Sequence, residues 1–550
     1  MMRPSFNLVD QPWILCLVRP GRMREFGLED TLIRSDELKE IVHESPLVVA
    51  SLHRLLLALL HRIFGPPNMD AWVDLWNQGA WDAVAIHDYF HQWRDRFDLF
   101  HPEYPFYQTS KVVKESKNGV KEVKTSPVQR LAQQLTGGNN KLLFDHSVDQ
   151  RPVSWSPAEA ARYLIAEQNF ALGGGVSYPF NLCDGPATKG LNVLALGFDL
   201  FQTLALNLIP YNDRSPMPNS AEDKPAWEYE KRPGPQKNGS KANGYLDFLT
   251  WQSRQIQLLP SQDNRISDCR YQQCYRLHDS FDRDPFKAYL VDKNGTRPYP
   301  LSLSRVLWRD SSALFQEMKQ RGIRPPYLFY HLANVQQCAN KGRIKAQSKY
   351  RFQVFGMASE GKAANIVMWR REVFPLPLAY LTDPGLLSTL NDTLAAAENI
   401  GRELEARAWW FAAHTLYPGS AGPGWKPGKS HSQEISRLRS ALRPTQDFWA
   451  MLENPFRRLL VELADAWAVR EDDEESKLED VLARWAQTLR GAAFKSFEVM
   501  VRPFQGTGRG LKAIARAEVG FGGKLERIIR EHGLLEPDED EEEEYGQIAS

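Results

Sequence analysis

The sequence predicts an α+β protein with a large mixed N-terminal domain, containing loops and β-hairpins, over residues 1–380. An antiparallel four-helix bundle is expected over 381–532, followed by an acidic disordered tail over 533–550. The 550 residues exceed the size of one ordinary domain. Residues 246–375 alternate between apolar and polar as strands do, whereas the apolar residues of 383–532 recur with the period of amphipathic helices.

The N-terminal domain begins with a predicted short strand over residues 6–16 and two predicted helices over 45–64 and 69–98. The first helix is strongly apolar, but four polar residues on one helical face interrupt it, namely His53, Arg54, His61 and Arg62. This pattern indicates an amphipathic core helix rather than a membrane-spanning segment. We therefore expect no membrane partner.

Residues 110–152 combine lysines with turn-forming residues, which predicts a loop that is mobile or ordered by a partner, with a hairpin turn at Asn118–Gly119. A helix is predicted over 157–169, because proline in its first turn is followed by alanines. The glycine run 173–175 comes directly after this helix. Such a run serves either as a tight loop or as a place where another backbone approaches closely, and the pattern leaves both possibilities open.

Residues 211–245 are rich in proline, asparagine, glycine and lysine, which predicts a long irregular surface segment. A β-hairpin is predicted over 350–376, with its turn around Glu360 and Gly361. The bundle is expected from four amphipathic segments, which cover residues 386–417, 445–470, 477–501 and 510–533.

The charge of the chain is balanced overall but unevenly distributed. The 68 basic and 68 acidic residues cancel, yet eight of the acidic residues lie in the tail Glu536–Glu544, which leaves a body of 68 − 60 = +8. A basic body with an acidic tail is compatible with a polyanionic partner, and equally with a tail that only solubilises the protein. Five cysteines in 550 residues form no disulfide framework, and no signal peptide is evident, so we expect a reducing cytoplasm.

No recognisable catalytic constellation is present, and we predict neither a cofactor nor a metal site. The segment "GTGRGLK" lacks the spacing of a phosphate-binding loop, and Cys269 and Cys274 lack the second pair that a structural zinc site needs. Two clusters of basic residues are more informative, because such clusters are typical of phosphate-backbone contacts, although a solvated surface is an equal alternative. They comprise Lys341, Arg343, Lys345, Lys349, Arg351, Lys362, Arg370 and Arg371 in the first, and Arg502, Arg509, Lys512 and Arg516 in the second.

Several short stretches occur in an order that resembles a known family. They are "FNLVDQPWI", "YPFYQT", "NKLLFDH", "FALGGG", "LTWQSRQIQL" and the hairpin with "MWRREV", followed by helical segments. Together they resemble the CasA family, the large subunits of the type I-E CRISPR surveillance complex Cascade. No single stretch is diagnostic, but the ordered set covers almost the whole chain.

The resemblance implies a non-enzymatic recognition subunit. Pairing of the CRISPR RNA with the target strand reads the sequence, and the large subunit reads the short adjacent motif, the PAM, on double-stranded DNA. It also helps to open the duplex and serves as the landing site for a helicase–nuclease. The implied partners are the 5′ handle of the CRISPR RNA, the PAM-bearing duplex, the backbone and small subunits, and this helicase–nuclease.

The resemblance also assigns roles to particular residues. The loop against the PAM minor groove is implied to be Gly173, Gly174 and Gly175. The strand-separating wedge is implied to be Gly361, Lys362, Ala363 and Ala364, where this chain lacks the amide side chain that some relatives carry. A basic finger is implied to use Arg265, with Arg270 as the second candidate. A loop engaging the RNA handle is implied to use Asn140, Lys141 and Phe144. The displaced DNA strand is implied to contact Arg509, Lys512 and Arg516.

Two other interpretations compete with this one. In the first, His87 and Asp88 form part of a metal-dependent phosphohydrolase site, although further ligands cannot be nominated. In the second, the chain is a structural scaffold that binds RNA without reading DNA. Metal-dependent nuclease activity lost in His87→Ala would favour the first, and equal affinity for duplexes with and without a PAM would favour the second.

Overall fold

The structure is a computed structural model, and the residues that it describes lie in thirteen ranges. These are 4–18, 21–116, 119–132, 153–211, 222–230, 234–278, 284–293, 295–300, 322–345, 350–359, 366–422, 424–470 and 475–535. The predicted RNA-handle residues Asn140, Lys141 and Phe144, the wedge residues 361–364 and residues 536–550 of the predicted tail lie outside the described residues. The described part of the chain divides between Phe374 and Pro375 into two compact units.

The first unit mixes helices with small sheets, as the α+β prediction expects. Its helices are α1 (Leu28–Ile33), α2 (Pro46–Ile63), α3 (Met69–Gln78), α4 (Ala83–Trp93), α5 (Pro157–Phe170), α6 (Leu200–Asn207), α7 (Tyr245–Leu249) and α8 (Tyr327–Asn340). Its strands are β1 (Ile14–Val18), β2 (Arg22–Phe26), β3 (Leu38–Ile41), β4 (Val113–Ser116), β5 (Gly119–Glu122), β6 (Thr125–Pro127), β7 (Asn192–Leu196), β8 (Arg254–Pro260), β9 (Ile266–Gln273), β10 (Tyr289–Asp292), β11 (Gly295–Pro298), β12 (Ile323–Arg324), β13 (Tyr350–Ser359) and β14 (Ile366–Leu376).

These strands form several short sheets. The strand orders among the described residues are β2-β1-β3, β6-β9-β8, β14-β13-β7, β11-β10-β12 and the pair β4-β5. The predicted hairpin over 350–376 is confirmed as β13 and β14, and β7 adds to its edge. In the long hairpin of β8 and β9, Arg254 is paired with Gln273 at its base.

The apolar helix α2 lies at the centre of the first unit. Sixteen of its 18 residues are buried, including His53, Arg54 and His61. Within the described residues it is the one helix long and apolar enough to cross a membrane, but its surface is covered by the rest of the fold. Burial on all sides explains both its composition and its length. The prediction of a core helix over 45–64 is confirmed, although three of its four polar residues are buried as well and only Arg62 is exposed.

Local turns override two of the predicted elements. The strand predicted from residue 6 begins only at Ile14, because the Asn7 side chain accepts a hydrogen bond from Val9 N (3.0 Å) and its carbonyl accepts one from Gln11 N (2.9 Å). The single helix predicted over 69–98 is wrong. Gly79 ends α3 in a left-handed conformation (φ 73°), and the Asp82 side chain starts α4 by accepting from Val84 N at 2.9 Å.

Two further segments are more regular than expected. In the described part of 110–152, the antiparallel pair β4–β5 confirms the hairpin predicted at 118–119, whereas β6, which extends the β8–β9 sheet, was not predicted. Helix α8 interrupts the strand-rich segment 246–375, and its buried residues are spaced as on one helical face: Leu328, Phe329, His331, Leu332, Val335 and Cys338. The periodic signal for α8 was therefore present in the sequence.

The second unit is helical, but a simple four-helix bundle does not describe it. Its helices are α9 (Pro384–Leu416), α10 (Lys429–Leu442), α11 (Gln446–Ala468), α12 (Glu475–Val501), α13 (Gly508–Glu518) and α14 (Phe521–Glu531). The long helix α9 contacts each of the other five. Helix α10 was not predicted, and the segment predicted as one last helix is two, because Gly520 breaks it with φ 69°.

Candidate nucleic-acid interface

The glycine run lies in a loop that begins where α5 ends. A capping box fixes the start of α5, since Ser156 accepts from Glu159 N and the Glu159 side chain accepts from Ser156 N. The helix ends at Phe170, and Ala171 turns the backbone out of the helix with ψ 132°. We call residues 171–185 the glycine loop. Its ends are closed by the hydrogen bond from Gly185 N to Ala171 O (2.7 Å).

Two of the three glycines adopt backbone conformations that L side chains rarely take. Gly174 has φ 105° and Gly175 has φ 84°, so both positions favour glycine. Gly173 has an ordinary φ, but a Cβ there would lie 3.1 Å from Asp184 N and Oδ1. The backbone conformation therefore favours glycine at two positions, and the close approach of Asp184 favours it at the third.

The backbone of the run is held by the returning arm of the loop. Gly173 N donates to the Asp184 carboxylate (2.7 Å), and Gly174 N donates to Leu182 O (2.9 Å). Leu182 N in turn donates to Gly175 O (3.3 Å). Among the described residues, Gly175 N has no hydrogen-bond partner, so it is the one backbone donor of the three that stays available.

The outer part of the loop faces solvent. Gly174, Gly175 and Val176 are exposed, and Val176 reaches 95% relative exposure. We call these three residues the loop tip. The tip presents backbone and one apolar side chain, with no bulky polar group that would keep another molecule at a distance. Of the two interpretations left open by the sequence, this arrangement favours close approach by another molecule.

The surroundings of the loop carry positive charge. Lys189 pairs with Asp184 at 2.6 Å, and its side chain is still 71% exposed. The Lys287 amine is buried and donates to Pro186 O at 2.7 Å. Burial lowers the pKa of Lys287 to about 8, and Asp284 opposes this shift by favouring the charged form. Each amine has a carboxylate near it, and Lys189 is the one of the two whose side chain is exposed beside the returning arm.

The two candidates for the basic finger occupy different environments. Arg265 lies at the exposed turn between β8 and β9, and its guanidinium donates to the Ser154 hydroxyl (3.0 Å) and to the Ser154 carbonyl. Arg270 lies within β9 and donates to Glu122 (2.6 Å), to Gln257 and to Val123 O. Arg270 therefore joins β5 to the β8–β9 hairpin, and Arg265 is the better candidate for a partner contact.

The basic residues of α13 also differ from one another. Arg509 donates to Leu416 O (2.8 Å) and Arg516 donates to Pro418 O (3.2 Å), so both satisfy carbonyls at the end of α9. Lys512 is exposed and has no partner among the described residues. Of the three, Lys512 is the side chain whose charge is most available to a partner.

Three of the six described residues of the basic cluster 341–371 have side-chain partners within the first unit. Arg343 pairs with Asp70 (2.6 Å), Arg370 with Glu372 (2.7 Å), and Arg371 donates to Gln353 (2.9 Å). Lys341, Lys345 and Arg351 are exposed, so these contacts leave both interpretations of the cluster open.

The metal-site interpretation gains no geometric support. His87 Nδ1 lies 2.9 Å from Glu29, but the His87 side chain is 67% exposed. Within the described ranges, no group of three or more His, Cys, Asp or Glu residues could hold a metal ion. Cys269 and Cys274 are buried free thiols, and burial raises the pKa of Cys269 to about 12.

The sequence did not indicate the residues that hold the glycine loop. Asp184 and Leu182 bond the run from the opposite arm, yet neither stood out as a motif. One signal was available. The polar run Glu167–Gln168–Asn169 follows the apolar stretch 164–166 of α5, and all three residues are at most 4% exposed. Buried polar side chains need partners, so this run indicated a hydrogen-bonded network beneath the glycines.

Comparisons with known proteins agree along the whole chain. Residues 7–496 match the sequence model of the family described as CRISPR-associated protein Cse1. A protein of Thermus thermophilus described as CRISPR-associated protein CasA/Cse1 is 32% identical over 542 residues, which cover 96% of this chain and 98% of that protein. The crystal structure of Thermus thermophilus CasA matches with a TM-score of 0.77 at 28% identity, covering 95% of this chain and 100% of that one. A chain from a structure described as a CRISPR RNA-guided surveillance complex has a similar fold, with a TM-score of 0.68 at 22% identity, covering 94% of this chain and 99% of that one.

Proposed function

The chain belongs to the Cse1 family of CRISPR-associated proteins, and on this premise we propose that it is the non-catalytic DNA-recognition subunit of an RNA-guided Cascade complex. In this proposal the chain joins the backbone and small subunits and the 5′ handle of the CRISPR RNA. It reads the PAM of double-stranded target DNA from the minor groove and helps to open the duplex for R-loop formation. It then recruits the helicase–nuclease that degrades the target in antiviral defence. Five free thiols fit a cytoplasmic location.

The observation that carries the proposal is the exposed loop tip with its anchored backbone. The minor groove of B-DNA is about 6 Å wide, which excludes bulky side chains but admits a glycine backbone. Gly174 and Gly175 hold positive φ angles and have no side chains, so their backbone is free to approach a groove edge. An anchored loop loses little entropy on binding, which favours affinity.

The chemistry of the groove then sets what the loop reads. Both orientations of an A·T pair present only acceptors in the minor groove, whereas a G·C pair adds the amino donor of guanine. The available Gly175 N–H can donate a hydrogen bond to these acceptors, whereas the guanine amino group is itself a donor and cannot accept one. We therefore infer discrimination of A·T from G·C, with degenerate recognition within each class, and a relaxed set of accepted PAMs.

The remaining contacts follow from the same proposal. Arg265 at the turn of β8 and β9 is the candidate finger, and Lys512 is the candidate contact for the displaced strand. The wedge is assigned to the connection between β13 and β14, where Lys362 supplies charge in place of the amide of some relatives. The wedge assignment rests on the family resemblance and on the confirmed hairpin.

The proposal is tested with complexes reconstituted with and without this chain. Their affinity is measured for target DNA whose three flanking positions are randomised, at two salt concentrations. We expect this chain to add affinity for a subset of flanking sequences, and we expect this preference to persist at the higher salt, because base recognition depends less on salt than phosphate contacts do. A gain that is the same for every flanking sequence and disappears with salt would contradict PAM recognition.

The assignment of Phe144 to the RNA handle gives a separate prediction. Stacking of a base on an aromatic ring contributes about 1–3 kcal/mol. We expect Phe144→Ala to weaken the association of this chain with the rest of the complex by about tenfold or more, with unchanged thermal stability of the isolated chain. Titration of labelled chain into complex lacking it measures this affinity. Phe198→Ala, which changes another exposed aromatic residue (63% exposed), is the control. Equal affinity of the Phe144 variant and the wild type would refute the assignment.

A further inference from the structure

We propose that Arg254 and Gln273 are positioning residues that fix the glycine loop in the geometry required to discriminate between flanking sequences. This inference rests on the proposed function of the loop. The two residues pair directly across β8 and β9, and both are almost fully buried, at 1% and 0% exposure. Neither is in a position to contact DNA, so their effect on recognition acts through the loop.

Gln273 bonds to both arms of the glycine loop. Its backbone N donates to the Ser177 hydroxyl (2.8 Å), directly after the loop tip. Its side-chain oxygen accepts from Cys183 N (2.7 Å), on the returning arm. Its side-chain nitrogen donates to Ser253 O (3.2 Å), which fixes the orientation of the amide. One residue of the sheet therefore sets the separation of the two arms.

Arg254 holds the entrance of the loop. Its guanidinium donates to Leu172 O (2.8 Å), the carbonyl directly before the glycine run, and to the Gln273 side-chain oxygen (3.2 Å). It also donates to the Tyr271 hydroxyl (2.7 Å), which donates to the Glu167 carboxylate at 2.5 Å. The buried charge of Arg254 is thereby linked to a buried carboxylate, and the network runs from α5 to the loop.

The glycine loop needs this support, because glycines do not restrict their own backbone. A donor that reads a groove edge must be held to within about 0.5 Å of its productive position. Gly173 is held by Asp184, but the residues on either side of the tip, Leu172 and Ser177, are held by Arg254 and Gln273. Without these bonds the tip would sample many positions, and its preference for one base pair over another would be averaged out.

A role in stability alone explains this network poorly. Buried ion pairs seldom stabilise a fold more than well-packed apolar residues of similar volume do. Here the buried Arg254 and Gln273 both form hydrogen bonds to residues of one exposed loop, the glycine loop. A geometric role explains why the polar atoms are directed there.

The test compares Gln273→Met with Gln272→Met. Gln272 is its neighbour on β9 and is also buried (4%), but its side chain bonds to Val113 O and Gln255 instead of the loop. Two quantities are measured: amide hydrogen exchange of the isolated chain, and the ratio of affinities of the reconstituted complex for preferred and non-preferred flanking sequences. We expect Gln273→Met to speed exchange at Gly173, Gly174 and Cys183 by about tenfold and to reduce the ratio by about tenfold, since it removes buried hydrogen bonds. Gln272→Met should change neither quantity at the loop.

Ser177→Ala distinguishes an effect on the loop from a general loss of folding in Gln273→Met. It removes only the hydroxyl that accepts from Gln273 N, on the loop itself, and should change both quantities in the same direction. Unchanged exchange at the loop in both variants would overturn the inference. The inference would also be overturned if both variants exchanged faster at the loop but kept the wild-type ratio of affinities, while Gly174→Val lost the preference between flanking sequences. If Gly174→Val also leaves the ratio unchanged, the proposed function of the loop fails instead, and the inference fails with it.

Discussion

Gly174→Val is expected to abolish the PAM-dependent part of DNA affinity while leaving the rest of the affinity in place. The native φ of Gly174 is 105°, which a β-branched residue rarely adopts, so the loop tip must change its conformation. One well-placed set of groove contacts contributes about 1–3 kcal/mol of discrimination. The ratio of affinities for preferred and non-preferred flanking sequences should therefore fall by about tenfold to a hundredfold.

The control for Gly174→Val is Gly79→Val. Gly79 also has a positive φ (73°), and a Cβ there meets nothing within 4 Å, so valine imposes comparable backbone strain. It ends α3 and takes no part in the glycine loop. Both variants should show a similar small decrease in thermal stability, but only Gly174→Val should lose PAM dependence. Equal retention of PAM dependence in both variants would show that the loop tip does not read the groove.

Gly175→Asp separates charge from shape at the neighbouring position. Gly175 has φ 84° and open space around its Cβ, with Leu182 Cδ1 at 3.9 Å. Gly175→Asn is the uncharged comparison, because asparagine has nearly the same shape as aspartate and is comparatively tolerated at positive φ. Gly175→Asn should weaken binding by filling the groove, and Gly175→Asp should weaken it further because its charge repels phosphates. The difference between the two variants should shrink as salt is raised.

The sequence predicted those parts of the fold whose causes are local. Helix α5 was predicted because its proline and its alanines are close in sequence, and α2 because an apolar run of its length has few alternatives. The break between α3 and α4 was missed although Gly79 and Asp82 signal it, because the apolar spacing continues across the break.

The candidate site divides in the same way. The glycine run was found from composition and from the order of motifs. The residues that hold it in place could not be found in this way. Gln273 lies 96 residues from Ser177, and its hydrogen bond to that residue depends on how β9 packs beneath the loop. The difference between Arg265 and Arg270 was also hidden, because both are arginines in one hairpin and only the fold places Glu122 beside the second.

A second large effect is expected from acid, because several histidines are buried without charge. The rings of His61 and His331 have no hydrogen-bond partner on either nitrogen within the described residues. The His61 ring contacts Tyr211 and Tyr245 edge-on, and His331 contacts Trp72. The pKa of each is lowered to about 3, mainly by burial, and at His61 the proximity of His331 contributes to this lowering. Burial also lowers the pKa of His53 to about 4. The hydrogen bond to Val49 O opposes this lowering, and the positive charge of Arg371 adds to it.

The sign of the effect follows from proton binding. Below about pH 6.5 the unfolded chain binds a proton at each histidine, while the folded chain does not until the pH approaches its lowered pKa. The free energy of unfolding is therefore unaffected above pH 6.5 and decreases as the pH falls toward 3–4. At pH 5 each of the three histidines lowers it by about 2 kcal/mol, or about 6 kcal/mol together, which is comparable to the total stability of many domains.

His331→Leu should remove one third of this dependence. Leucine fills much of the same apolar site and leaves no unpaired nitrogen, so the stability at pH 7 should change little, while the loss between pH 7 and pH 5 should shrink by about 2 kcal/mol. Denaturant unfolding at a series of pH values measures this slope, with exposed His91→Gln as the control. A slope unchanged by His331→Leu would mean that the ring gains a proton in the folded chain near pH 6. Water must then reach it, and the core around α2 and α8 would open more readily than its packing implies.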